Sequence, residues 1–91
     1  MPLNDDDRFS IFDDKGAVKA LIDFVIQQKD PEVKIEHMRK IDFTYIFTLS
    51  KRDRSKEVEL SRAEINASWN WRGGTTDETL RKKIEDTIAQ L

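Results

Sequence analysis

At 91 residues with a formal net charge of −2, the chain is long enough to bury about two-thirds of the surface its unfolded form exposes, so one folded domain is expected without staples. It has no cysteine, which excludes disulfides and thiolate metal sites and points to a reducing compartment. No apolar run approaches the ~20 residues of a membrane span, and the start, MPLNDDDRFS, has neither the basic onset nor the apolar core of a secretory signal. A cytoplasmic protein with no membrane association and no metal or other cofactor is the expectation.

The charge is unevenly spread. Asp5, Asp6, Asp7, Asp13 and Asp14 stand against Arg8 alone at the N-terminus, whereas residues 39–56 carry Arg39, Lys40, Lys51, Arg52, Arg54 and Lys56 against Asp42 and Asp53. Such asymmetry creates a local field able to attract an anionic partner, and it is equally the ordinary surface of a highly charged protein. Residues 1–8 have little to bury and are expected to form a disordered acidic tail, leaving 9–91 as a single domain.

Phe9, Ile11 and Phe12 suggest an apolar arm or a short edge strand. Val18, Leu21, Ile22 and Val25 then recur at helical spacing, widened by Ala17, Phe24 and Ile26, which predicts a helix over 15–29 that Pro31 stops. After Pro31 the period becomes two. Val33 and Ile35, then Ile41, Phe43, Tyr45, Phe47 and Leu49, then Val58 and Leu60 alternate with polar residues, predicting three half-buried strands. The polar segment 51–56, KRDRSK, is expected to be the loop of a hairpin between the second and third strands. Between the first two strands, Asp42 is the one turn former.

Ser61 with Glu64 forms a capping-box pattern, and Leu60 with Ile65 the matching hydrophobic staple, so a short helix is expected over 62–69. Trp69 lies four residues after Ile65 and is placed in the core. Thr75 with Glu78 repeats the capping pattern ahead of a final helix over 76–91, with Leu80, Ile84, Ile88 and Leu91 as its apolar stripe. Asn70, Gly73 and Gly74 supply the turn between these helices. If the chain stayed helical, Trp71 would leave the face of Trp69; if it became extended, both rings would point the same way. Trp71, with Arg72 beside it, is therefore the surface candidate.

Helix, three strands, helix is similar to the element order of double-stranded-RNA-binding domains. The similarity is one of order alone. Residues 37–43, HMRKIDF, contain no glycine-proline loop, and the last helix opens with the acids Asp77 and Glu78, with Lys82 and Lys83 a turn later.

No catalytic constellation emerges. His37 is the only histidine, and its parity with Val33 and Ile35 places it on the inward side of the first strand, with no serine favoured as its partner. The three glycines, at 16, 73 and 74, compose no phosphate-cradling loop. The expectation is an α+β domain in the order α-β-β-β-short α-α, an antiparallel three-stranded meander with helices packed on one face. Its expected role is that of a non-catalytic binding or adaptor module for a protein partner or a second copy of itself. The alternative is a nucleic-acid-binding domain that uses Arg52, Arg54 and Lys56 of the basic hairpin together with Trp71 and Arg72, the cations meeting phosphates and the indole stacking on bases. The outer sheet face, carrying Lys34, Glu36, Thr44, Ile46, Thr48, Glu57 and Glu59, is a third candidate surface.

Overall fold

Asp14 opens the first helix by accepting a hydrogen bond from the Ala17 amide at 3.1 Å, the capping role for which a short acidic side chain is suited. The structure is a computed structural model that describes residues 10–91. The expected acidic tail over 1–8, and Phe9, lie outside the described residues. Ile11–Asp13 form a single 3-10 turn rather than a strand, and Phe12 is buried. Helix α1, Lys15–Lys29, has the bounds that periodicity predicts and buries Val18, Leu21, Ile22, Val25 and Ile26.

Three antiparallel strands succeed it in the spatial order β1-β2-β3: β1, Lys34–Ile41; β2, Thr44–Lys51; β3, Arg54–Ser61. Both connections are two-residue turns. Ile41 pairs with Thr44 and Lys51 with Arg54, so Asp42–Phe43 and Arg52–Asp53 make the reversals, with Asp42 (φ 54°) and Arg52 (φ 61°) in the left-handed region that such tight turns demand. The expected loop over 51–56 is accordingly shorter, and Arg54 and Lys56 belong to β3.

Tyr45, Phe47, Leu49, Val58 and Leu60 face inward and join the buried side chains of α1 in one core. Ile41 and Phe43 continue the same alternation in sequence, yet they are 47% and 66% exposed, because the turn reverses the chain there. His37 is a second departure. An irregularity between Ile35 and His37 leaves Glu36 unpaired, so Ile35 sits opposite Leu49 and His37 opposite Thr48. The extra residue moves His37 to the outer face and Met38, opposite Phe47, to the inner one.

Helix α2, Arg62–Ala67, starts with the capping box that Ser61 and Glu64 predict. A 3-10 turn over Trp71–Gly73 ends at Gly74, whose φ of 96° a side chain would strain. Helix α3 is Glu78–Ala89, and its cap is Asp77, not Thr75: the Asp77 carboxylate accepts from the Leu80 amide at 3.0 Å. The reason lies in buried Ser68, whose Oγ accepts from the Asp77 amide at 2.8 Å and donates to the Glu64 carbonyl at 3.1 Å. Leu80, Ile84 and Ile88 complete the core. The result is the expected α+β architecture, an N-terminal helix, a three-stranded meander, and a short and a longer helix packed against the sheet.

Tyr45 ties the N-terminal turn to this core. Its hydroxyl donates to the Phe12 carbonyl at 2.9 Å, and the two rings meet edge to face at 4.9 Å. Burial, then the nearby Asp13 and Asp14, push the phenol above its usual range. Tyr45→Phe keeps the packing and leaves the carbonyl without its donor, so a loss of about 1–3 kcal/mol is expected, read as a lower urea midpoint with an unchanged slope.

Candidate functional site

The two tryptophans exchange the places that helical spacing predicts for them. Trp71 is buried at 8% exposure and Trp69 is 62% exposed. Beyond Ala67 the chain tightens: the amides of Ser68, Trp69, Trp71 and Gly74 bond to carbonyls three residues back. Three residues per turn, the 3-10 repeat, superimposes side chains at i and i+3. Ile65, Ser68 and Trp71 therefore all point inward, and Trp69 turns out. The α-helical spacing from Ile65 to Trp69 misled because the helix does not last that far.

Trp71 is consequently not a platform for bases. Its ring packs on Phe24 of α1 with centroids 5.3 Å apart, and the Arg72 guanidinium lies 4.4 Å from its centroid. Its indole Nε1 is buried without a hydrogen-bond partner among the described residues. Arg72 itself is exposed, but one face of its guanidinium is engaged by its own neighbour.

The basic hairpin is partly neutralised by the loop that leads from α1 to β1. Lys51 Nζ lies 2.7 Å from the Asp30 carboxylate and Arg52 3.7 Å from Glu32. The Lys51 hydrogen bond, with the Glu32 amide, holds the Asp30 carboxyl below its usual range. Arg54 and Lys56 are exposed on β3. No hydrogen bond or ion pair among the described residues joins this hairpin to the Trp71–Arg72 turn: the hairpin stands at the start of β3, and the chain reaches Trp71 only after leaving the other end of β3 through α2.

What sequence reasoning missed is the exposure of Phe43 and Trp69, one at each end of α2. Phe43 stands out from the β1–β2 turn; its carbonyl accepts from the Arg62 amide at 2.8 Å, and the Arg62 guanidinium lies 5.8 Å from its ring. Trp69 comes seven residues after Arg62, just past the end of the same helix. Asp42 as the start of a two-residue turn was the available signal for Phe43; for Trp69 the sequence offers none short of knowing where α2 ends.

Within α2, Glu64 is held by two donors. It accepts from the Ser61 amide at 2.8 Å and from Lys83 Nζ, whose closest approach is 2.9 Å. Burial alone would push its carboxyl up, but these two donors outweigh it and hold it below the usual range.

A hollow of about 570 Å³ between α1 and the start of β1 is lined by Lys19, Ala20, Asp23 and Val33, and another of about 600 Å³ lies along the outer side of α3. His37 lines neither. Among the described residues no cluster of three histidine or acidic side chains is placed to hold a metal ion, and no helix is long and apolar enough to cross a membrane. Compared with protein-family models, curated proteins and solved structures, the chain finds no match in any of the three.

The placement of the rings and the state of Glu64 are both open to measurement. Trp71→Ala is expected to cost about 3–5 kcal/mol of stability, and Trp69→Ala to stay within about 0.5 kcal/mol; equal losses in urea melts would contradict the placement. Because the Glu64 value is lower in the folded chain than in the unfolded one, its stabilisation is complete above the ordinary carboxylate range, about pH 4–5, and is lost as pH falls below it. Glu64→Gln should therefore lower stability at pH 7 and flatten its decline between about pH 5 and 3, measured by urea melts across that interval.

Proposed function

We propose that this is a small, non-catalytic module that recognises a protein partner through the exposed side chains Phe43, Arg62 and Trp69 at the two ends of α2. The observation that carries it is the exposure of two large aromatic rings, Phe43 at 66% and Trp69 at 62%, in a domain that buries its other tryptophan. A phenylalanine or tryptophan left in water forfeits about 1.5–3 kcal/mol of burial, and tryptophan and arginine are the side chains that most often dominate binding energy at protein interfaces. Arg62 adds a planar donor against the Phe43 ring. The nucleic-acid alternative rests on fewer groups than the charge distribution suggests, chiefly Arg54, Lys56 and Arg72, since Trp71 is buried and Lys51 and Arg52 have acidic neighbours.

A photo-crosslinking residue placed at position 43 or 69 in the native cells tests this. One protein captured from both positions, absent when the probe sits at Asp86 on α3 and lost on Arg62→Glu, is the expected outcome. No capture from either position, together with saturable, salt-sensitive amide shifts at residues 52–56 on adding short RNA or DNA, would transfer the function to nucleic acid.

A further inference from the structure

No helix among the described residues covers the outer face of the sheet. Its charges are sorted by strand. β1 presents Lys34, His37 and Arg39 there, with the exposed Glu36 of the bulge as the one acid among them, β3 presents Glu57 and Glu59, and β2 between them is uncharged on that face, with Ile46 at its middle. The register aligns them in rows: His37, Thr48 and Glu57 form one, and Arg39, Ile46 and Glu59 the next. A basic column thus runs parallel to an acidic one, about 10 Å away at the usual strand spacing.

We propose that this face is the contact surface of a homodimer whose two-fold axis runs parallel to β2. A rotation about that axis lays β1 of one copy over β3 of the other and β2 over its own counterpart. Arg39 then faces Glu59 of the second copy, His37 faces Glu57, and the two Ile46 side chains come together at the centre. A two-fold running across the strands also brings the same faces together. It would set β1 on β1 and β3 on β3, like charge on like charge, so electrostatics alone selects the first. Apolar groups agree with that choice, since Ile41 and Phe43 of both copies come to the same end of the contact.

Arg39 already lies 3.8 Å from Glu57 of its own chain, and in the single chain its neighbours leave Ile46 only 8% exposed. That pair is open to solvent, where such contacts are worth little, so Arg39 is free to turn to the facing carboxylate and uncover Ile46. The footprint sets the strength. Strands of eight residues at about 3.3 Å each, three abreast at about 4.8 Å, give a flat area of roughly 380 Å², below the ~800 Å² per partner of a standard stable interface. The dimer is therefore weak and reversible, and it weakens further with salt.

A charge exchange tests the geometry. One variant carries Lys34→Glu and Arg39→Glu, making both columns acidic; the other carries Glu57→Lys and Glu59→Lys, making both basic. Sedimentation of the wild-type chain at rising concentration should show a monomer–dimer equilibrium. Each variant alone should be at least tenfold weaker, and an equimolar mixture should form a one-to-one heterodimer. A wild type that stays monomeric at millimolar concentration overturns the proposal, as do variants that self-associate as the wild type does. Should either variant fail to fold, dilution of the wild type followed by amide spectra decides instead: shifts confined to the outer-face residues of the three strands support the dimer, and shifts elsewhere or none refute it.

Discussion

A single carboxylate holds three elements in register. Glu64 closes the capping box on the Ser61 amide, which fixes where β3 ends and α2 begins, and it receives Lys83 from α3. Lys83 also donates to the Glu59 carbonyl on β3, at 3.3 Å. A helix of six residues is far too short to be stable by propensity, so α2 exists because its first turn is capped and its one deeply buried side chain, Ile65, belongs to the core. Everything downstream inherits its position from that start. Ser68 lies one tight turn beyond Ile65 and fixes the Asp77 amide, and from there α3 is aimed back along the sheet.

The pattern of apolar residues predicted what depends on local period. α1 has the bounds its apolar spacing implies because Asp14 caps one end and Pro31 stands just past the other, and the inward residues Tyr45, Phe47, Leu49, Val58 and Leu60 all lie on the alternation, which also selected the exposed Ile41 and Phe43. It misled wherever the period changed without a breaker. After Ala67 the repeat shortens from 3.6 to three with no glycine or proline to announce it, and the two tryptophans trade places. At Glu36 one additional residue enters a strand whose composition looks regular. Thr75 and Asp77 are both good caps, and a contact from Ser68, nine positions before Asp77, decides between them. The candidate surface was the least legible part, because the exposure of Phe43 and Trp69 depends on these same junctions.

Charge read along the chain also overstates charge in space. The hairpin that reads as a dense block of cations meets Asp30 and Glu32, brought to it by the turn between α1 and β1. Lys40, another member of the basic stretch, lies 4.7 Å from the centre of the Phe12 ring and 3.8 Å from Asp13. Much of the apparent electrostatic signal is thus met by acidic neighbours within the chain. What survives is the ordered opposition of β1 and β3 across the outer face, which no linear count of residues displays.

The bulge at Glu36 gives β1 an unusual tolerance. Because Glu36 has no opposite number, a reading frame that lost this one codon would encode a strand in which Ile35 still meets Leu49 and His37 still meets Thr48. Loss of any other single codon within the paired strands would interrupt the ladder and send the side chains on one side of the gap to the opposite face. The position that tolerates the loss lies on an edge strand, where a bulge is one of the devices that discourage pairing with another chain.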